Sequence, residues 1–273
     1  MAEPRDKNGL TESEFLQSYN AGKYERPSVT ADILALGVKE DFSCLKILLI
    51  KRGGHPYIGK WALPGGFIRK TETAYQAAAR ELEEETGLKD VYLEQIYTFT
   101  KPERDPRTWV MSIAYMALVS ELKHVNGSDD ADSAAWFDLI ISPEKISLQN
   151  KDLGVNISYA IETKKFQNGA IKYENWVATP QTQELLAFDH IEIIIESFLN
   201  LKAKFEHSDL AFNLIGSKFT LPDLQVLYEL ILGKKLYKTN FRTMIAPKIK
   251  ATGEKRKSAS SNKMSAEYEY IDA

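Results

Sequence analysis

The sequence predicts an α/β (α+β) protein: a mixed sheet sandwiched by helices, followed by a helical segment with a basic tail. Three observations point there. Apolar runs of strand length at 29–38, 44–52, 91–100 and 109–120 bracket one helix-patterned stretch, 74–86. Beyond Pro180 the pattern turns helical. Charge is also divided: residues 218–273 hold eleven Lys or Arg against six Asp or Glu, while the preceding 217 hold 24 against 32. A basic segment behind an acidic body indicates two domains with different partners.

The bulk numbers set limits. A chain of 273 residues accommodates one large or two ordinary domains. Its 44% hydrophobic and 27% charged content is that of an ordinary globular protein. No apolar run approaches the roughly 18 residues of a membrane span. The N-terminal MAEPRDKNGLTESEF has no apolar signal core. Cys44 is the one cysteine, which excludes an intrachain disulfide framework and argues against a thiolate metal site. A reducing cytoplasm and no membrane partner are the expectation.

An N-terminal arm, 1–24, contains a short helix opened by the capping box Thr11-x-x-Glu14. A first domain, 25–180, begins with the strands VTADILALGV and CLKILLIKR. The glycines and prolines at 53–66 then exclude regular structure. A helix over Ala74–Thr86 stops at Gly87, a suitable left-handed cap. VYLEQIYTFT and WVMSIAYMALVS read as strands joined by KPERDPRT, and AAWFDL as another short one. Residues 150–180 are compatible with a helix or with a hairpin split at Asn168-Gly169.

The second domain, 186–273, opens with the amphipathic HIEIIIESFLNLKAKF. Thr220-x-x-Asp223 caps LPDLQVLYELILG, which ends at Gly233; KTNFRTMIAPKIK supplies another helix, capped at Thr239 or Asn240. The tail then reads as a basic hairpin. Two helices across a short turn and a basic hairpin describe a winged helix-turn-helix. Between Lys234 and Lys263 the basic residues, including the candidate DNA contacts Lys238, Arg242, Lys248, Lys255, Arg256 and Lys257, face only Glu254 as an opposing charge along the sequence.

The chemistry is concentrated in GFIRKTETAYQAAARELEEETGL, 66–88. On a helix, Glu81, Glu84 and Glu85 fall at i, i+3 and i+4 and share one face. Like charges there repel by roughly 0.2–0.5 kcal/mol per pair unless a cation lies between them. Converging hard oxygens suit Mg²⁺ or Mn²⁺. A solvated acidic helix face would explain the glutamates but not the glycines, Arg80 and Glu72 at their spacings.

With Gly66, Glu72, Arg80, Glu81, Leu82, Glu84, Glu85, Gly87 and Leu88 in place, this stretch resembles the box of the Nudix family without departure. The resemblance implies a Nudix α/β/α sandwich and Mg²⁺-dependent hydrolysis of nucleoside diphosphates linked to another group. It implies metal binding by Glu81, Glu84, Glu85 and the Gly65 carbonyl, and catalytic roles for Glu84, Glu85 and Arg80. Arg80 would orient a carboxylate, and Glu72 would brace the loop–helix junction. The general base is left open among Glu84, Glu85, Asp129 and Asp130.

Outside the box, Lys101, Arg104 and Arg107 beside Trp109 combine phosphate-binding cations with an indole able to stack on a purine. Arg52 and Trp61 are further substrate-binding candidates. RDPRTW resembles the corresponding loop of ADP-ribose pyrophosphatases. The C-terminal segment resembles that of Nudix-related transcriptional regulators of NAD metabolism, which implies duplex DNA as a partner. Both resemblances imply a homodimer. Two readings follow: an enzyme splitting ADP-ribose into AMP and ribose 5-phosphate, favoured by the intact box, and an ADP-ribose-sensing regulator, favoured by the basic domain. Both can hold together.

Overall fold

The computed structural model of the chain describes residues 3–122 and 131–271. Helix α1 (Glu12–Ser18) carries the expected Thr11–Glu14 capping box. Strands β1 (Ser28–Val38) and β2 (Leu45–Arg52) form a hairpin, and the glycine loop that follows contains β3 (Trp61–Ala62) and β4 (Gly65–Phe67). The loop was expected to lack regular structure. Instead, β3 pairs with β2 and β4 with β1, because neighbouring strand edges supply hydrogen bonds that local propensity does not.

Next come α2 (Ala74–Thr86), β5 (Tyr92–Phe99), β6 (Val110–Leu118), β7 (Ala131–Ile141), β8 (Lys145–Asn150), β9 (Val155–Asn168) and β10 (Ile171–Pro180). Residues 150–180 thus resolve as strands, with the β9–β10 turn at Gly169, where φ is 59°. The ten strands form one mixed sheet, ordered β10-β9-β8-β7-β2-β1-β6-β5 along its main path. Only the β1–β6 pair is parallel among the described strands. Lying central and covered on both faces, β1 is an almost continuous apolar run.

Each face of the sheet has its own cover. Ala77, Ala78 and Leu82 of α2 pack on Ala31, Ile33, Ala35 and Leu48. On the other face, Leu34, Leu36, Ile47, Leu49 and Met116 meet Ile193, Ile194, Phe198 and Leu201 of α3 (His190–Phe205). Burying each such side chain contributes about 1.5–3 kcal/mol. This arrangement is the α/β/α sandwich. The helix α3, expected within the C-terminal domain, is its second outer layer.

The same apolar cluster continues into the C-terminal segment through Phe205, Leu224, Leu227, Tyr228, Phe241 and Ile245. That segment comprises α4 (Phe212–Ile215), β11 (Lys218–Thr220), α5 (Leu221–Leu232), α6 (Lys238–Ile245), β12 (Ile249–Lys257) and β13 (Met264–Tyr270). Its three-stranded sheet runs β11-β13-β12. Thr220 caps α5 by accepting from Asp223 N, and Gly233 closes it with φ 68°. The N-cap of α6 is Tyr237 and not Thr239 or Asn240, so the helix starts two or three residues earlier than expected. Buried Asp223 accepts from Ser258 Oγ at 2.8 Å and Ser260 Oγ at 2.7 Å, fastening the β12–β13 tip to α5. Helices α5 and α6 with this hairpin make a winged helix.

Candidate active site and nucleic-acid interface

The register of α2 is fixed at both ends. Thr73 and Gln76 exchange hydrogen bonds as a capping box, and Gly87 takes the left-handed cap. Within that register Arg80 makes four hydrogen bonds to three carboxylates. Its Nε and Nη2 bind Glu72 at 3.0 and 2.7 Å, and Nη1 meets Glu81 at 2.7 Å and Glu84 at 2.8 Å. Glu72 therefore titrates down near about 2, its hydrogen bond from Arg80 being the largest cause, and the same contact raises Arg80 above its ordinary value. Glu72 N-caps no helix; it ties Arg80 to the loop, where its Oε1 also accepts from Arg69 N.

The two glycines are required by close approach. A Cβ on Gly65 would lie 2.4 Å from Ala31 O and 2.7 Å from Asp32 Oδ1; one on Gly66 would lie 2.3 Å from Glu81 Oε1. Gly65 N donates to Glu85 Oε2 at 2.8 Å. Glu85 is pushed up to about 8, first by burial and then by the neighbouring Glu81 and Asp32, with the Gly65 amide and Arg52 opposing.

Among the described residues, no three acidic, histidine or cysteine side chains are gathered as a ready-made cation cage. Arg80 instead bridges Glu81 and Glu84. The donor set nevertheless fits a hard divalent cation: Glu85 is a half-buried carboxyl whose ionised form lacks a sufficient counter-charge, and Glu81 and Asp32 add to that deficit. Glu81, Glu84, Glu85 and the Gly65 carbonyl are the groups able to hold it.

Arg52 and Arg107 converge on this cluster. Arg52 donates to Pro56 O at 2.8 Å, and its Cζ is 4.9 Å from the Phe188 ring. Arg107 is held by Asp105 at 2.7 Å, with Cζ 5.1 Å from Phe67 and 5.8 Å from Phe188. Burial, then the like charge of Arg107, lowers Arg52 below its usual value. Two guanidinium groups that repel each other beside a carboxylate cluster form a place for an anion. Trp109, 44% exposed, immediately precedes β6 at the end of that loop.

Two substrate candidates lie elsewhere. Trp61 is 4% exposed and packs edge-on against Phe137 at 4.8 Å, so its indole belongs to the core beneath α3. Arg104 is buried and paired bidentately with Asp189 at 2.6 and 2.8 Å, with Asp32 at 3.4 Å. Burial works against its charge, but these carboxylates hold it above the ordinary arginine value. Arg104 supports the loop from below and presents nothing to a ligand. Lys101 pairs with Glu192 of α3 at 3.0 Å. Asp129 and Asp130 lie outside the described residues.

The residues that sequence reasoning missed are Asp32, Phe67, Asp105, Phe188 and Asp189. Asp32 had a signal, as the one charge in VTADILALGV. Phe188 and Asp189 had none, since their partners are about eighty or more positions away.

On the winged helix, Lys238 and Arg242 of α6 are exposed, while Phe241 and Ile245 anchor the opposite face. Lys255 and Lys257 are exposed on the wing, and no ion pair engages these four among the described residues. Others are neutralised: Lys248 by Asp209 at 2.7 Å, Arg256 by Glu267 at 3.6 Å and by Lys218 O at 2.6 Å, and Lys235 by Glu229 at 2.7 Å. The expectation that the basic residues face only Glu254 is thus corrected. Folding brings acidic residues of α5, β13 and the α3–α4 connection beside them.

Residues 27–152 match the NUDIX domain, and residues 211–270 match the NrtR DNA-binding winged helix domain. Over 238 residues the chain is 31% identical to the ADPR responsive transcriptional repressor NtrR of Acinetobacter baylyi, covering 86% of this chain and 78% of that protein. Over 118 residues it is 42% identical to an ADP-ribose pyrophosphatase of Methanocaldococcus jannaschii, covering 42% of this chain and 64% of that enzyme. A crystal structure of a MutT/nudix family protein from Enterococcus faecalis matches with a TM-score of 0.77 and 30% identity, over 96% of this chain and 94% of that one. NrtR of Shewanella oneidensis complexed with a 27mer DNA matches with a TM-score of 0.63 and 26% identity, over 89% and 93%. This chain belongs to the family that joins a Nudix domain to an NrtR-type DNA-binding winged helix.

Proposed function

We propose that the chain hydrolyses the pyrophosphate of an ADP-ribose-type nucleoside diphosphate derivative, releasing AMP and ribose 5-phosphate, with Mg²⁺ or Mn²⁺ required. The observation that carries this reading is the placement of half-buried Glu85, which accepts from Gly65 N at 2.8 Å beside Glu81 and within the field of Arg52. A bound divalent cation supplies charge neutralisation on the bridging oxygens and lowers the pKa of an attacking water. Glu81, Glu84, Glu85 and the Gly65 carbonyl would hold it. Arg80 keeps Glu81 and Glu84 turned to one side. Arg52 and Arg107 bind diphosphate oxygens, and Trp109 offers its face to the purine. The proton acceptor is one of Glu84, Glu85, Asp129 and Asp130, the last two lying outside the described residues. The test is AMP release from ADP-ribose with Mg²⁺, abolished by Glu84→Gln or Glu85→Gln with folding preserved. No turnover by the unmodified protein across a panel of nucleoside diphosphate derivatives would defeat the reading.

A second reading, a regulator that binds duplex DNA in response to the same nucleotide, is favoured by the uncompensated charges on α6 and the wing. Hydrolysis would then remove the signal that the winged helix answers. This reading requires DNA binding that weakens with salt and changes with ADP-ribose. A protein indifferent to DNA at low salt, with or without nucleotide, refutes it.

A further inference from the structure

Three consecutive residues ahead of and opening α3 grip three separate parts of the nucleotide site. Phe188 lies against Arg52 of β2 and Arg107 of the 101–109 loop. Asp189 takes Arg104, the buried support of that loop. His190 accepts at Nδ1 from Leu63 N at 2.8 Å, two residues before Gly65. All three lie outside residues 27–152, in the stretch that joins the two domains. Glu192 in the first turn adds a fourth tie, to Lys101.

From there α3 runs 16 residues, about 24 Å at the helical rise, without a break. Its last residue, Phe205, packs on Tyr228 of α5 at 4.8 Å, and Tyr228 packs on Phe241 of α6 at 5.4 Å. Phe241 faces inward from the helix that exposes Lys238 and Arg242. Packed cores move as units, so a tilt at one end of α3 reaches the other.

We propose that Phe188 and Asp189 complete the nucleotide site from the interdomain segment, and that α3 thereby carries nucleotide occupancy to α6. Phe188 is a positioning residue, its ring centroid 4.9 and 5.8 Å from the Cζ atoms of the two guanidinium groups that take the diphosphate. Asp189 is a positioning residue, acting through Arg104 on the loop that bears Arg107. An anion drawing Arg52 and Arg107 together pulls on Phe188 directly, and on Asp189 through the loop. The inference rests on the nucleotide reading above and names how that site is regulated.

Amide hydrogen exchange on the full chain tests it, with and without α,β-methylene ADP-ribose and Mg²⁺; the bridging carbon blocks hydrolysis. In the unmodified protein the probe protects residues 101–109 and 186–193 and alters exchange over 221–245. In Phe188→Ala and in Asp189→Asn, at saturating probe, the change over 101–109 persists and that over 221–245 falls to less than half. Phe188→Tyr, which keeps the ring, restores it, which separates lost coupling from general loosening. A full change over 221–245 in both variants, or a response confined to residues 27–122 in the unmodified protein, overturns the inference alone. Absence of any protection removes the nucleotide reading, and the inference falls with it.

Discussion

Replacing Gly66 by alanine tests the catalytic geometry with a single methyl group. The new Cβ would lie 2.3 Å from Glu81 Oε1, 2.5 Å from Cδ and 2.8 Å from Oε2, where ordinary contact begins at 3.4 Å. The Glu81 carboxylate must therefore retreat by about 1 Å, which it can do because it is the end of a side chain and not backbone. A displacement of that size in a positioned group costs on the order of 10²-fold in rate, about 2.7 kcal/mol of barrier. Stability should change little, because Gly66 has no positive φ and alanine costs the unfolded chain conformational freedom worth about 0.4–1 kcal/mol. The assay is kcat for AMP release from ADP-ribose at saturating Mg²⁺, with a urea midpoint measured alongside. Gly54→Ala is the control, since its Cβ would meet nothing within 4 Å. A Gly66→Ala protein within threefold of the unmodified rate, at unchanged stability, would show that the position of Glu81 is not what the proposed chemistry needs.

Three further outcomes are expected. Glu85 is raised from 4.5 to about 8 in the folded chain, so folded protein retains a proton that the unfolded chain has lost. Stability of the chelator-treated protein therefore falls as pH rises from about 5 to about 8; added Mg²⁺ restores it most at the upper end, and Glu85→Gln flattens the slope in thermal melts. Asp189→Ala leaves Arg104 buried with only the longer Asp32 contact at 3.4 Å and should cost about 3 kcal/mol, the lower end of the range for breaking a buried pair, by urea denaturation; a loss below about 1 kcal/mol would mean the pair is solvated. For duplex DNA, Lys238→Ala and Arg242→Ala should each lower the salt-dependence slope by about 1, whereas Lys235→Ala, already paired with Glu229, should leave it nearly unchanged. Anisotropy titrations at several salt concentrations distinguish these cases.

Local signals made much of this fold readable from sequence. The strands at 28–38, 45–52, 92–99 and 110–118 follow apolar runs, and α2 and α5 begin and end at their cap residues. Within the box, the glycine, arginine and glutamate spacings translate into contacts because one helix and one loop carry them. What stayed hidden depends on distant partners. KISLQN became β8 because β7 and β9 flank it, not because its own pattern is strong. Trp61 and Trp109 carry the same side chain, yet one is core and the other open to solvent, decided by which layer lies above each. Arg104 and Arg107 are three positions apart in one basic loop, and only tertiary structure places Asp189 under the first.

The placement of α3 also limits how this gene product can be dissected. The helix roofs one side of the sheet with Ile193, Ile194 and Phe198 while its far end floors the winged helix with Phe205. Ending a truncated protein ahead of α3 would strip the roof, and ending it just after would leave Phe205 bare. A cut anywhere from 181 to 210 yields at least one fragment with a greasy wound, prone to clump. The two halves are better regarded as tenants of a common wall than as beads on a string.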